Sequence, residues 1–161
     1  MTRLTRRYRF SASHRLHSPA LSDSENARVY GKCNNPFGHG HDYVLEVSVA
    51  GAVHPLTGLI VSIPALDAFI ERHVLRIFAN RNINLDVAQF SGLLAATSEN
   101  VALVIASILQ QHWRDEFGTT PARLEKIHIQ ETDRNGFEVR LGAASPLVFS
   151  PAEMESVTVH G

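Results

Sequence analysis

"GHGHDYVLEVSVAG", residues 38–51, has an apolar residue at every second position from Tyr43 to Val49. Alternation at every second position is typical of a β-strand with one buried face. The apolar positions are Tyr43, Leu45, Val47 and Val49. His39 and His41 have the same parity, so we expect both imidazoles on the buried face, near the beginning of the strand.

An earlier segment adds a third histidine to this pattern. Residues 5–13 alternate in the same way and predict another half-buried strand, and His14 continues its apolar face. If the two strands pair, His14, His39 and His41 converge at one end of the sheet. Three imidazoles with one open coordination position are the ligand set of a catalytic zinc site. The sequence therefore predicts a zinc site built from two strands.

The loop before these ligands contains the only cysteine. Cys33 could be a fourth zinc ligand, a buried apolar residue or a reactive thiolate favoured by Lys32 and a nearby cation, and the residues alone leave all three readings open. Gly38 would permit an unusual turn, and Gly40 a close backbone approach between the ligands. The remaining histidines are expected at the surface or in packing: His17, His54, His73, His112, His128 and His160.

The rest of the chain predicts an α+β fold. One helix opens at Pro64, and a second runs from Ser98, its expected N-cap, to Phe117. Two strands follow, Leu124–Gln130 and Phe137–Leu141. The order ββααββ predicts a four-stranded antiparallel sheet with two helices on one face.

Length and composition fit one domain. The chain has 161 residues, of which 19% are charged, with a formal net charge of −1. We expect the domain over residues 1–142, with residues 15–38 mostly loop, and a C-terminal extension over 143–161 whose order the sequence does not predict. A single cysteine and the lack of a long apolar run indicate a cytoplasmic protein without a membrane segment.

Nucleic-acid binding is not expected. The one basic cluster lies at the N-terminus, and solvated charges on an edge strand explain a cluster of this size. Its members are Arg3, Arg6, Arg7, Arg9 and Arg15.

Four stretches of the sequence resemble a known protein family. Residues 10–47, "FSASHRLHSPALSDSENARVYGKCNNPFGHGHDYVLEV", closely resemble the 6-pyruvoyl-tetrahydropterin synthase and 6-carboxytetrahydropterin synthase family. Further matches are "NLDV" (84–87), "TSENVA" (97–102) and "ETD" (131–133). The resemblance covers roughly residues 7–142.

The resemblance implies a fold and a set of site residues. The fold is the tunnelling fold, whose subunits form homo-oligomers, trimers or dimers of trimers, with active sites at subunit interfaces. Zn²⁺ would be held by three histidines, the catalytic residue would be Cys33, and Glu131 would anchor the pterin substrate. A further segment would complete the pterin pocket across a subunit boundary. The implied zinc ligands are His14, His39 and His41, and the implied pocket segment is Thr97, Ser98 and Glu99.

The implied reaction starts from 7,8-dihydroneopterin triphosphate and eliminates triphosphate, in tetrahydropterin or queuosine biosynthesis. The family's Asp-His pair, an acid–base partner of the cysteine, is replaced here by Ala79 and Asn80. General acid–base catalysis commonly contributes ~10²–10⁴-fold, so this departure predicts an impaired or altered lyase. Two alternatives remain: a non-catalytic, zinc-containing pterin-binding paralogue, and a hydrolase that uses zinc-bound hydroxide.

Overall fold

A computed structural model describes residues 1–142, so the predicted extension over 143–161 lies outside the described residues. Five strands and five α-helices follow in chain order: β1 (Thr2–His14), α1 (Asp23–Tyr30), β2 (His39–Gly51), α2 (Ile63–Ile70), α3 (Arg76–Phe78), β3 (Arg81–Asn82), α4 (Ile83–Asp86), α5 (Ser98–Phe117), β4 (Arg123–Thr132) and β5 (Asn135–Arg140). Short 3₁₀ turns lie at Gly31–Asn34 and Ala88–Phe90, and a π-helical turn, Glu71–Leu75, joins α2 to α3.

The sheet has the strand order β3-β1-β2-β4-β5. All neighbours pair antiparallel except β1 and β3, which are parallel. The predicted α+β class is confirmed, whereas the prediction of four strands is wrong by one. The additional strand, β3, has only two residues, Arg81 and Asn82, and a strand so short has no alternation that a sequence could display.

One face of the sheet is buried beneath the helices. On β2, Tyr43, Leu45, Val47 and Val49 are fully buried, as their alternation predicts. They pack in one core with Phe10 of β1, Ile127 and Ile129 of β4, and the apolar sides of α2 and α5. The predicted helices on one face of the sheet are therefore present.

Short polar side chains fix where the two main helices begin. The Ser62 hydroxyl caps α2 by accepting from the Ala65 amide, with Pro64 in the first turn. Helix α5 is capped by Thr97, whose hydroxyl accepts from the Asn100 amide at 3.3 Å. The predicted cap, Ser98, is instead the first helical residue, and its side chain is free for another partner.

The segment predicted as loop contains a helix, α1. It begins with a capping box in which Ser22 and Glu25 bond each other's backbone amides. Asn26 is fully buried, and its amide donates to the carbonyls of Ser18, Leu21 and Ser22. Because this helix buries an asparagine and no apolar stripe, hydrophobic periodicity does not predict it.

The N-terminal arginines are mostly paired with carboxylates. Arg3 binds Glu125, Arg6 binds Asp67 and Arg7 binds Glu46. Because β3 pairs only with Ala12 and Ser13, β1 is an edge strand over most of its length, as predicted for this cluster. Within residues 1–142, no helix is both long enough and apolar enough to cross a bilayer.

Candidate active site

Strand pairing brings the three predicted ligands together. In the antiparallel register of β1 and β2, His14 lies opposite His39, and His41 lies opposite Ala12. One nitrogen atom from each imidazole lies within 4.8 Å of the other two. The ring centroid of His14 is 4.7 Å from that of His39 and 5.1 Å from that of His41. The parity argument thus predicted a real cluster at one end of the sheet.

The surroundings of His14 favour metal binding through Nε2. Its Nδ1 lies 2.7 Å from the Ala96 carbonyl oxygen, which can only accept, so Nδ1 carries the proton. The lone pair of the neutral ring is therefore on Nε2. Among the described residues, the Nε2 atoms of His14 and His41 are buried and have no hydrogen-bond partner. Unpaired buried nitrogens are costly unless something binds them, and a cation fits these positions.

Burial also favours the neutral form of His14 and His39, which is the form that binds a metal. Desolvation lowers the pKa of His14, which is fully buried, and the neighbouring His39 and His41 rings lower it further. The pKa of His39 is lowered mainly by burial, then by His41, and less by the Lys32 ammonium. A metal binds the neutral imidazole, so proton competition is weak at neutral pH.

Glu131, near the end of β4, adds a carboxylate beside the imidazoles. Its Oε1 accepts a hydrogen bond of 2.6 Å from the Ser98 hydroxyl and lies 3.5 Å and 3.6 Å from Nε2 of His14 and His41. Burial alone would raise the pKa of Glu131, but the Ser98 hydrogen bond and the nearby His41 outweigh it and lower the pKa. Glu131 is therefore an ionised acceptor at neutral pH.

Cys33 lies on the 3₁₀ turn Gly31–Asn34 and is half-buried. Its carbonyl oxygen accepts from the Leu16 amide at 2.9 Å, and the Asn34 side chain donates to the Leu16 carbonyl at 2.7 Å. These bonds tie the turn to the segment that follows His14. The backbone of Cys33 is thus held against the segment that follows His14.

A single cavity of about 850 Å³ brings the predicted residues together. His14 is fully buried and does not line the cavity itself, but its ring contacts His39 and His41, which do. The other predicted site residues line its wall: Cys33, His39, His41, Thr97, Ser98, Glu99 and Glu131. Two cations line the same wall: Lys32, which the sequence already placed beside Cys33, and Arg134, which sequence reasoning missed. Arg134 directly follows "ETD", but its sequence position does not indicate that it faces this cavity.

Ala79 and Asn80 do not line this cavity. Asn80 borders a separate hollow of about 370 Å³ between β1, β2 and β3. Its φ of 58° is left-handed, a conformation that asparagine tolerates, and its amide donates to the Ser11 carbonyl at 2.7 Å. Within one chain, the departure from the family pattern therefore lies outside the cavity that Cys33 lines.

The two glycines near the ligands differ in their constraints. Gly38 has a φ of 69°, and a Cβ there would lie 2.8 Å from the His14 carbonyl oxygen, so the predicted unusual turn is confirmed. A Cβ at Gly40 would meet its nearest atom, the Ala12 carbonyl oxygen, at 3.7 Å. That is an ordinary contact, so the predicted close approach at Gly40 is wrong.

The remaining described histidines lie outside the cluster. His73 and His112 stack on each other between the main helices, with ring centroids 4.3 Å apart. His128 Nδ1 lies 3.7 Å from a Glu46 oxygen on the open face of the sheet. His160 lies outside the described residues.

Comparisons with known proteins agree with this geometry. The family model described as 6-pyruvoyl tetrahydropterin synthase matches residues 3–141. The 6-pyruvoyl tetrahydrobiopterin synthase of Poecilia reticulata is 43% identical over 133 residues, which cover 82% of this chain and 85% of that protein. The Homo sapiens protein of the same name is 40% identical over 133 residues, covering 82% and 86%.

Solved structures show the same fold. The 6-pyruvoyl tetrahydropterin synthase of Caenorhabditis elegans matches with a TM-score of 0.78 and 36% identity, over 88% of this chain and 96% of that chain. The Plasmodium falciparum protein, at 12% identity and a TM-score of 0.57, covers 86% and 96% and supports the fold alone. The fold is the tunnelling fold, and the chain belongs to the 6-pyruvoyl tetrahydropterin synthase family, a family of lyases.

Proposed function

We propose that the protein is a zinc-dependent lyase that acts on 7,8-dihydroneopterin triphosphate and eliminates triphosphate as the side chain rearranges. The observation that supports this most directly is the shared cavity. It joins an imidazole cluster with unpaired nitrogens, an ionised carboxylate and a thiol. A site for a simple zinc hydrolase would need the imidazoles and a water but neither Glu131 nor Cys33.

The proposed metal ligands are His14, His39 and His41. Zinc bound there would supply a Lewis acid that acidifies C–H bonds next to the hydroxyls of the substrate side chain. The three rings come from two paired strands and are fixed by the sheet register, and the Ala96 carbonyl fixes the tautomer of His14. Fixed ligands of this kind limit the reorganisation needed at the metal.

Glu131 is proposed to anchor the pterin ring. A carboxylate accepts two parallel N–H bonds, and the 2-amino and N3 groups of a pterin offer that pair. Ser98 holds one carboxylate oxygen from the first turn of α5, and Thr97 and Glu99 continue the same wall. The depressed pKa of Glu131 keeps the acceptor ionised for this contact.

Cys33 is proposed to move the side-chain protons. As a thiolate it would take a proton from a side-chain carbon, and the electron pair left there would form the double bond as the C–O bond to triphosphate breaks. Because Ala79 and Asn80 cannot titrate near pH 7, the thiol has no histidine partner from that segment, and we expect turnover slower than in a chain that retains one. The product, a pyruvoyl or a carboxy pterin, is a question for mass spectrometry.

We further propose a cytoplasmic homo-oligomer, a trimer or a dimer of trimers. Over residues 1–142, β3 and β5 are the edge strands of the sheet, and neighbouring copies could pair with their outer sides. An assembly would also bring the Asn80 segment of one subunit towards the site of another.

The test is a triphosphate-release assay with zinc-loaded protein and dihydroneopterin triphosphate. We expect release, and a rate lower by ~10²–10⁴-fold in Cys33→Ala. Ser11→Ala, on the opposite face of the sheet, is the control and should retain the parent rate. Pterin binding without release would favour the non-catalytic paralogue, and release that survives Cys33→Ala would favour a zinc hydrolase. Either result would overturn the proposal.

A further inference from the structure

The cavity wall contains two cations to which the proposed roles assign no task. Lys32 lies on the 3₁₀ turn directly before Cys33, and Arg134 lies in the β4–β5 turn shortly after Glu131. Both are exposed and both line the cavity. They come from separate elements and face the same space.

Neither side chain has a polar partner within the part of the chain that the structure describes. Over residues 1–142, Lys32 and Arg134 make no side-chain hydrogen bond and no ion pair. This contrasts with Arg3, Arg6 and Arg7, each of which binds a carboxylate on a neighbouring element. Cations that line a cavity and have no internal partner are available to a ligand.

The charge of the cavity indicates what kind of ligand fits. Its wall also contains the carboxylates Glu99 and Glu131, so the two cations balance the two anions before any metal is bound. A polyphosphate would be repelled by these carboxylates if the cations were removed. Arginine binds phosphate through paired N–H donors, and lysine acts as a mobile point charge.

We infer that Lys32 and Arg134 form a subsite for the polyphosphate group of a phosphorylated ligand. The inference rests on the proposed function, in which that ligand is dihydroneopterin triphosphate. In that arrangement the ring is anchored at Glu131 and the reacting side chain lies at Cys33, which is next to Lys32 in the sequence, and Arg134 belongs to the same wall. The subsite positions the leaving group beside the thiolate and neutralises its charge as it departs.

The test uses Lys32→Gln and Arg134→Gln in the full chain, with Arg114→Gln as the matched control. Arg114 is an exposed arginine on α5 that borders a different hollow. Three quantities are measured for each variant: the KM for dihydroneopterin triphosphate, the Kd for inorganic tripolyphosphate by calorimetry, and the Kd for dihydroneopterin without phosphates.

We expect KM and the tripolyphosphate Kd to rise about tenfold in each cavity variant, since hydrogen bonds to charged groups stabilise a complex by at least this much. The affinity for dihydroneopterin should stay within about twofold, and Arg114→Gln should match the parent. Raising the salt should weaken tripolyphosphate binding more in the parent than in the variants.

Unchanged tripolyphosphate binding in either cavity variant would overturn the two-cation subsite. An equal loss of dihydroneopterin affinity would overturn it as well, since the residues would then act on the ring or on folding. Calorimetry keeps this test separate from the proposed function. A parent protein that binds tripolyphosphate through both cations but releases none from substrate would refute the lyase and retain the subsite.

Discussion

Replacing Ser98 with alanine removes the one hydroxyl that holds Glu131. Its Oγ donates to Oε1 of Glu131 at 2.6 Å, Ser98 is 3% exposed and the Glu131 side chain is 13% exposed. A hydrogen bond to a charged group contributes about 1.5–3 kcal/mol, and a water entering from the cavity can replace part of it. We therefore expect Ser98→Ala to lower the free energy of unfolding by about 1.5 kcal/mol at pH 7.

The loss of unfolding free energy in Ser98→Ala should depend on pH in a defined direction. Because the folded-state pKa of Glu131 is depressed, its contribution to stability is present above the unfolded pKa and is lost as the pH falls through the folded pKa. Losing the Ser98 bond raises that pKa, so the difference between parent and variant should shrink as the buffer becomes acidic. Helix propensity cannot explain a loss, since alanine is the best helix former.

Urea denaturation of the metal-free protein at pH 7 and in acidic buffer measures both effects. The matched control is Ser11→Ala, which removes a hydroxyl that donates to Asp42 on the exposed face of the sheet. An exposed pair of this kind should contribute no more than about 0.5 kcal/mol. The reasoning is refuted if Ser98→Ala is as mild as Ser11→Ala at pH 7, or if its penalty is the same at both pH values.

Four further substitutions, at Gly38, Gly40, Asn26 and His73, test the fold. Gly38→Ala should destabilise the protein by about 1–3 kcal/mol, because the left-handed φ and the close backbone contact at Gly38 exclude a Cβ. Gly40→Ala should be tolerated within about 1 kcal/mol. Equal denaturation midpoints for the two variants would contradict this difference. Asn26→Ala should lower the free energy of unfolding by about 2–4 kcal/mol, because it leaves the carbonyls of Ser18, Leu21 and Ser22 without this donor. A loss below about 1 kcal/mol in denaturation would contradict a stabilising role for these hydrogen bonds. Burial, followed by the neighbouring His112, lowers the pKa of His73. The free energy of unfolding should therefore fall as the pH drops from 7 towards 5, and it should fall less steeply in His73→Gln. The same pH dependence in the parent and in His73→Gln would show that His73 is not its source.

The sequence predicted the imidazole cluster because strand parity is a strict rule. A two-residue period determines which face each of His14, His39 and His41 occupies, and only the pairing of the strands had to be assumed. The register then places His14 opposite His39, which no propensity could specify. The buried alternation of β2 is the strongest local signal in the chain, and it fixed the sheet and the ligands together.

The features that sequence reasoning missed have weak or local signals. Helix α1 buries Asn26 and has no apolar stripe, so periodicity does not reveal it. The capping box of Ser22 and Glu25 was the one sequence signal that could have predicted where this helix begins. Strand β3 consists of two residues that pair with the backbone of β1, and it directly follows Asn80, whose φ is left-handed. The cavity wall combines residues from β2, α5, β4 and two turns, among other segments, so only tertiary structure could show that Lys32 and Arg134 face it.

The central claim is that the imidazole cluster and Cys33 form one zinc-dependent active site. The most direct measurement is triphosphate release from dihydroneopterin triphosphate as zinc is titrated into metal-free protein. We predict that the rate rises linearly and reaches a plateau at about one zinc per chain, with no such rise in His39→Ala and a normal rise in His54→Ala. Release that is independent of zinc, or a plateau that His39→Ala also reaches, would contradict the account.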